Sequence, residues 1–341
     1  MNSDASAAHG AGTAPVEPDR ASRLRRLRLL LLHPEITVLA AILLLGIYLG
    51  ATNPYFLEKT NLFNIAAAVS VIGTAGAFAT YVVIIGGLDL TPVTVFVMAG
   101  IVVLKTLNAG WPLAAVIVTA ILAGGMIGSI NGILIARFER NAVIVTLGVN
   151  FLFTGVAFVI TNGNGQLVTR ASFLNLWASS VAGFPLTAAA MIATFVVAFV
   201  VLRYSRLGVY IYAIGGDAAA ARLNGINIVR VRFIVYVLAG LAAGLAGVLS
   251  VGISGSVAPF GALSQTDLLY IIAAIIIGGT SLTGGRGNVW GTLFGIVLFG
   301  VVANGLVLKN ISSYYQPVII GAVMLVAVLI ERFREGLAVQ H

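Results

Sequence analysis

Long apolar stretches alternate with short polar connections along most of the chain. Most of the stretches approach the roughly 20 residues that an α-helix needs to cross the hydrocarbon core of a bilayer. The pattern predicts an all-α polytopic membrane protein with about ten transmembrane helices, some of them short or broken. The predicted spans are 34–51, 62–86, 91–107, 112–136, 142–161, 185–202, 231–251, 267–278, 288–308 and 317–330. Two of them, 267–278 and 317–330, fall short of a full span, which is typical of the broken helices around transport paths.

Composition agrees with a membrane protein and excludes a water-soluble enzyme. Of the 341 residues, 60% are hydrophobic and 9% charged, whereas soluble domains are roughly 45–50% apolar and about 25% charged. The chain has no cysteine, and its three histidines, His9, His33 and His341, lie at or near the termini. We therefore expect no disulfide, no metal site and no catalytic triad.

The basic residues predict the orientation of the spans. A net charge of +8 could indicate a nucleic-acid partner, but Lys and Arg at the ends of apolar segments instead orient a protein in the lipid bilayer. With both termini in the cytoplasm, 15 Lys and Arg residues lie inside and four, namely Lys59, Lys105, Arg170 and Lys309, lie outside. This imbalance favours cytoplasmic termini and makes nucleic acid an unexpected partner.

The same pattern divides the chain into one transmembrane domain and two tails. Residues 34–331 form the predicted domain, 1–33 a disordered basic tail and 332–341 a short cytoplasmic tail. The longest external connection is 161–184, whose polar, turn-rich start is either a docking surface for a delivery protein or a solvated connection. The longest cytoplasmic connection is 203–230.

The cytoplasmic connection contains a sequence that predicts a short helix outside the bilayer. Gly215 and Gly216 interrupt the preceding segment, Asp217 is a favourable N-cap, four alanines follow, and Gly225 suits the left-handed position that ends a helix. A helix of about two turns is marginal alone in water, so it needs a partner. From spacing alone, an ordinary interfacial helix is the other interpretation.

Several blocks resemble monosaccharide (ribose-type) ABC importer permeases. The run DAAAARLNGI at 217–226, followed by Arg230-Val-Arg232 and GLAAGLAG at 240–247, is similar to the coupling loop of that family. The resemblance extends from about residue 61 to residue 327. Its other blocks are IGGLDL at 85–90, ING at 130–132, NAVIVTLG at 141–148, IIGGTSLTGGRG at 276–287 and NGL at 304–306.

One block departs from the family pattern. The family usually has Ser-Val-Gly-Ser after the acid at position 89, whereas this chain has Thr-Pro-Val-Thr at 91–94. Pro92 lacks a backbone donor, so the local backbone differs. A change of solute and drift in a structural turn both remain as explanations.

The resemblance implies a permease subunit of an ATP-driven importer in the bacterial inner membrane. Its expected partners are a second permease copy, a cytoplasmic ABC ATPase and a periplasmic or lipid-tethered sugar-binding protein. ATP and Mg are expected on the ATPase, because none of the three lysines follows a glycine and no Walker A pattern exists. A pentose, a hexose or another small polyol remains open as the solute, and a branched-chain amino acid is the alternative. The ATPase-coupling residues implied are Asp217, Ala220, Ala221, Arg222, Leu223, Gly225 and Ile226.

Polar and glycine residues within or beside apolar runs are candidates for the solute path. Residues 84–91 and 276–283 share an apolar pair, Gly-Gly and a Leu-Thr at the same offset, which indicates internal duplication or chance. Each acid is either a helix cap or part of the path, and each asparagine either joins helices or contacts a sugar hydroxyl. The candidates are Gly86, Gly87, Asp89, Asn131, Asn150, Asp267, Gly278, Gly279 and Asn304.

Two other classes of membrane protein fit less well. An ion-coupled secondary transporter places ionisable residues in mid-span, and here only Asp89 and Asp267 come near, both at breaks in apolar runs. A membrane-embedded enzyme needs clustered ligands or a nucleophile with a base, and the sequence shows neither. The sequence therefore predicts a transport subunit with no catalytic residues.

Overall fold

The structure, a computed structural model, describes residues 34–138, 141–181, 183–263, 265–312, 314–315, 317–319, 321–322 and 325. The predicted tails at 1–33 and 332–341, and most of the predicted span 317–330, lie outside these residues. The elements in the described ranges are α1 Pro34–Thr52, α2 Lys59–Ile84, α3 Pro92–Asn108, α4 Leu113–Phe138, α5 Ala142–Thr161, β1 Gln166–Leu167, α6 Ala171–Ala178, β2 Ser180–Val181, β3 Phe184–Pro185, α7 Leu186–Tyr204, α8 Arg206–Gly216, α9 Ala218–Leu223, α10 Ile228–Ser254, β4 Ser256–Val257, a 3₁₀ turn Pro259–Leu263, α11 Gln265–Ile277 and α12 Val289–Leu308.

The helices confirm an all-α polytopic membrane protein. Eight segments of the described chain are long and apolar enough to cross a bilayer, namely α1, α2, α4, α5, α7, α10, α12 and the 3₁₀ turn together with α11. The short helices are α3, with 17 residues, and α11, with 13. The short span predicted at 267–278 thus begins two residues earlier, at Gln265.

Contacts between connections define two ends of the helix bundle. At one end, which we call the ribbon end, β1 pairs antiparallel with β4 and joins the α5–α7 and α10–α11 connections. Arg170 Nη1 donates there to Trp111 O over 2.6 Å. At the opposite end, which we call the α9 end, the α2–α3 and α11–α12 connections meet α8. Successive predicted spans run alternately from one of these ends to the other, so each of these connections lies at the end that the predicted spans assign to it.

Side-chain caps begin three of the helices that start at the α9 end, namely α5, α10 and α12. The side chain of Asn141 accepts from Val143 N at the start of α5, and that of Asn288 accepts from Trp290 N at the start of α12. Asn227 caps α10 in the same way. These caps satisfy backbone N–H groups that helix starts leave without an intrahelical partner.

The closest helix pairing joins α4 and α10 through glycines spaced four residues apart. A Cβ atom at Gly124 would lie 2.3 Å from the carbonyl oxygen of Gly240, and one at Gly128 would lie 2.4 Å from that of Tyr236. A Cβ at Gly244 would lie 2.9 Å from Ala120 O. Small residues at this spacing bring two backbones together, which is how helices gain packing where lipid removes the hydrophobic driving force.

Helix α10 occupies the centre of the bundle and also contacts α2 and α3. A Cβ atom at Gly247 would lie 2.3 Å from Phe96 O in α3. The α11–α12 pair uses the same device, since a Cβ at Gly295 would lie 2.3 Å from Ala274 O. Glycine contacts therefore set the spacing of several helix pairs around α10.

The connection at 161–184 contains a helix that its sequence does not predict. The polar start at 161–166 is followed by α6, which the sequence analysis did not predict. Phe173 and Trp177 of α6 are buried, and the Trp177 ring lies where a Cβ atom at Gly252 would be 2.5 Å from its Cγ. Helix α6 thus packs its two aromatic rings on the bundle, and the role of the polar start at 161–166, as a docking surface or as a solvated connection, stays a prediction.

Replacing Gly128 with alanine tests the α4–α10 pairing. The added methyl would meet the backbone at Tyr236, so we expect Gly128→Ala to lower the free energy of unfolding by about 1–3 kcal/mol. Gly148→Ala on α5 is the matched control, because a Cβ there meets nothing within 4 Å. Thermal unfolding in detergent should show a lower Tm for Gly128→Ala only. Equal Tm values for the two variants would contradict the proposed packing.

Candidate functional site

Helix α9 is capped as its sequence predicts. The Asp217 carboxylate accepts hydrogen bonds from Ala219 N at 2.8 Å and from Ala220 N at 3.0 Å. Asp217 is also the single residue between the end of α8 at Gly216 and the start of α9 at Ala218. The cap therefore holds a six-residue helix that would be marginal alone and ties it closely to α8.

The far end of α9 closes on a glycine, also as predicted. Gly225 adopts φ +79°, in the left-handed region that a side chain disfavours. Its N–H donates to Arg222 O, and Ile226 N donates to Ala221 O over 3.1 Å. These bonds satisfy the last carbonyls of α9 and direct the chain into α10.

Helix α9 buries one face and exposes the other. Ala221 is buried and packs in a cluster with Ile211, Ile228 and Val231. The outward face carries Ala220, Arg222 and Leu223. The Leu223 side chain is 90% exposed, so this face is narrow and has one protruding apolar side chain.

The two glycine blocks end α2 and α11 with similar turns. Gly86 N donates to Val83 O and Gly87 N to Val82 O; likewise Gly279 N donates to Ile276 O and Thr280 N to Ile275 O. The left-handed residue is the first glycine of one block, Gly86, but the second of the other, Gly279. The likeness ends with this turn, because 85–91 and 278–288 differ in length.

The block glycines mostly serve close packing. A Cβ atom at Gly87 would lie 2.8 Å from the Tyr236 hydroxyl, and one at Gly278 would lie 2.3 Å from the Gly291 carbonyl carbon. Gly279 also lines a cavity of about 530 Å³ at the α9 end. Glu35, Arg203, Tyr212 and Asn288 contribute to the same cavity.

Asp89 organises the turn that precedes α3. Its Oδ1 accepts from Thr91 N at 2.9 Å and from Thr91 Oγ1 at 2.6 Å. Asn131 of α4 donates from Nδ2 to Thr91 Oγ1 at 2.9 Å. All three residues are buried. The N-cap position itself belongs to Thr91, so Asp89 supports the cap from two residues earlier, and Asn131 joins helices.

The other two candidate asparagines, Asn150 and Asn304, also bond to other helices. Thr94 Oγ1 of α3 donates to Asn150 Oδ1 of α5. Asn304 of α12 and Asn61 of α2 form a reciprocal amide pair with N···O distances of 2.8 and 3.1 Å. Asp267 lies in the first turn of α11, and its prediction as the N-cap was wrong because Gln265 and Thr266 already belong to the helix. An acid there is favoured by the helix dipole.

Asn304 also lines a cavity of about 360 Å³ between α2, α11 and α12. Asn64 and Tyr270 add polar groups to its otherwise apolar wall. Asn64 is exposed and makes no side-chain hydrogen bond to another described residue. Sequence reasoning missed Asn64, although an amide inside the apolar run 62–86 is the same signal that identified Asn304.

The polar candidates therefore separate into two groups. Asp89, Asn131 and Asn150 lie in bonds that hold α3 to its neighbours, whereas Asn304 borders open space. No three His, Cys, Asp or Glu side chains come together in the part of the chain that the structure describes.

Comparisons with known proteins agree with this architecture. Residues 35–328 match the family described as the permease component of branched-chain amino acid transport systems. The ribose import permease protein RbsC of Escherichia coli K12 is 35% identical over 301 residues, 87% of this chain and 93% of that protein. The L-arabinose ABC transporter permease protein AraH of Azospirillum brasilense is 32% identical over 299 residues, 88% of each chain.

A third relative is the D-allose transport system permease protein AlsC of Escherichia coli K12, 32% identical over 285 residues, 83% of this chain and 87% of that protein. No solved structure matches the chain. The permease component of an ABC importer works with an ATPase and a binding protein. The chain belongs to this family of ABC importer permeases and is a multi-pass protein of the bacterial inner membrane.

Proposed function

We propose that this protein is the permease subunit through which an ATP-driven importer moves a monosaccharide by alternating access. The observation that carries the proposal is α9, an exposed helix that Asp217 caps and joins to the bundle through one residue. The relatives named for ribose, L-arabinose and D-allose support a sugar as the solute. The family description favours a branched-chain amino acid as the second candidate.

The proposed orientation places α9 in the cytoplasm, where the ATPase binds ATP and Mg and this chain supplies no ATPase site. Basic side chains support it, because seven described arginines lie near the α9 end and four basic residues lie near the ribbon end. The sugar-binding protein then docks at the ribbon end. A second copy of the permease completes the path. The basic residues near the α9 end are Arg137, Arg203, Arg206, Arg222, Arg230, Arg232 and Arg286, and those near the ribbon end are Lys59, Lys105, Arg170 and Lys309.

We assign the cavity at Asn304 to the solute path. An amide exposed on a membrane-spanning helix is costly to leave against lipid, since lipid offers it no hydrogen bond. The exposed Asn64 on α2 therefore faces water, solute or the second copy. Asn64, Tyr270 and Asn304 provide hydrogen-bonding groups that suit sugar hydroxyls, whereas Asp89, Asn131 and Asn150 act by joining helices.

Uptake by reconstituted vesicles tests the proposed function. The permease, its ABC ATPase and its sugar-binding protein are purified together and supplied with labelled ribose, L-arabinose, D-allose or leucine. We expect ATP-dependent uptake of one of the sugars. Leu223→Asp should abolish both uptake and copurification of the ATPase, because it places a negative charge on the exposed face of α9 that we propose binds the ATPase.

Leu167→Asp is the matched control for that experiment. Leu167 is 73% exposed but lies in β1 at the ribbon end, so its variant should retain the ATPase. Sugar uptake without ATP, uptake of leucine alone, or equal ATPase retention by the Leu223 and Leu167 variants would contradict the proposal.

The solute path is tested by Asn64→Leu. This change removes an amide from the cavity wall without breaking the Asn61–Asn304 pair, so we expect at least about fivefold slower uptake, equivalent to the loss of one hydrogen bond of about 1 kcal/mol. Thermal unfolding should be unchanged.

Asp89→Asn is the comparison variant for the path experiment. Its amide oxygen can accept the same two bonds from Thr91, so we expect uptake close to that of the original protein. Normal uptake by Asn64→Leu, or loss of uptake in a well-folded Asp89→Asn variant, would reverse the assignment of the two groups.

A further inference from the structure

Three chain segments meet in backbone contact next to α9. They are the end of α2 at Ile84, the end of α8 at Gly215 and the α11–α12 connection at Gly284 and Gly285. Gly285 N donates to Ile84 O over 2.8 Å, which bonds two of the segments directly. We call these four residues the glycine joint.

Glycine is required for the approach of α8 to the other two segments. A Cβ atom at Gly215 would lie 1.9 Å from Ile84 O and 2.5 Å from Gly285 N. At Gly284, with φ +87°, it would lie 2.8 Å from Gly215 O. Any side chain at Gly215 therefore has to push α8 away from α2 or from the connection.

A tyrosine of α8 adds a side-chain hydrogen bond between α8 and the α11–α12 connection. The Tyr212 hydroxyl donates to Gly287 O over 2.7 Å. Burial raises the pKa of this hydroxyl above its ordinary value, although the Arg203 charge lowers it, so the hydroxyl stays protonated and remains a donor at neutral pH. Helix α8 is thus held to the α11–α12 connection by a side chain as well as by backbone contact.

The glycine joint is close to α9 along the chain, because only Gly216 and Asp217 separate Gly215 from the start of α9. Gly216 ends α8, Asp217 follows, and α9 begins at Ala218. With so few residues between them, a displacement of α9 also displaces Gly215. Gly215 contacts the end of α2, a helix that is largely buried and packs against α10, α12 and α7.

We propose that Gly215 and Tyr212 are positioning residues that carry the movement of α9 to α2 and to the α11–α12 connection. This inference rests on the proposed function, since it assumes that the ATPase moves α9. It adds the route by which that movement enters the bundle. Neither residue touches solute or nucleotide in this route.

The test compares sugar transported per ATP hydrolysed in the reconstituted importer. Tyr212→Phe removes only the hydroxyl, and Tyr210→Phe, on the exposed face of the same helix, is its matched control. Gly215→Ala places a methyl group in the joint, and Gly216→Ala is its control because a Cβ there meets nothing within 4 Å.

We expect Tyr212→Phe and Gly215→Ala to lower the ratio of transport to hydrolysis by about fivefold or more, in the range of ordinary coupling energies. Both control variants should keep the original ratio. A purely structural role would lower uptake and hydrolysis in parallel with the amount of folded complex and leave the ratio unchanged. Should Gly215→Ala fail to fold, Tyr212→Phe decides the question.

An unchanged ratio of transport to hydrolysis in a folded Tyr212→Phe complex would contradict the proposed role of Tyr212 and the glycine joint. It would leave the proposed function intact. Failure of the proposed function looks different, because the original protein would then show no ATP-dependent sugar uptake at all.

Discussion

Close approach of helix backbones at glycine is the constraint on which this structure depends. Lipid is as apolar as a leucine side chain, so membrane helices gain stability from tight packing and from bonds between helices. The contacts of Gly124 and Gly128 with Gly240 and Tyr236 place α4 against α10 at a distance that no larger residue allows. Because α10 also contacts α2 and α3, this pairing fixes the centre around which the other spans are arranged.

Close backbone contact at glycine also occurs at the α9 end, where it joins short elements and not long helices. Within the spans, glycine contacts join long helices that many other contacts also hold. At Gly215 a short helix meets a helix end and a connection, and the next residues lead directly to α9. A tight contact between short elements transmits a displacement because it leaves no room for one element to move alone. The glycine contacts that stabilise the bundle are thus of the same kind as the contact at Gly215 that we propose for coupling.

The sequence was informative where local chemistry decides the structure. Apolar length predicted the eight described segments that can cross a bilayer and the shorter helix α3. The cap at Asp217 and the glycine at 225 predicted α9. It was uninformative where distant residues decide: nothing local pairs Gly215 with Ile84, or Gly124 with Gly240. Helices α6 and α8 were missed because they are short and are stabilised by burial of side chains such as Trp177 and Ile211 against other elements. Asn64 was overlooked although its signal was present.

The most direct measurement of the central claim is the distance between spin labels in the assembled importer. The chain has no cysteine, so Ala219→Cys on α9, which is not one of the residues assigned to ATPase coupling, and Leu282→Cys on the α11–α12 connection can be labelled together. Both side chains are exposed. If the joint is rigid, the distance between these labels stays the same with and without ATP, while the distance from Leu282→Cys to a label at Leu167→Cys changes. A change of the first distance with the second unaltered would contradict the account.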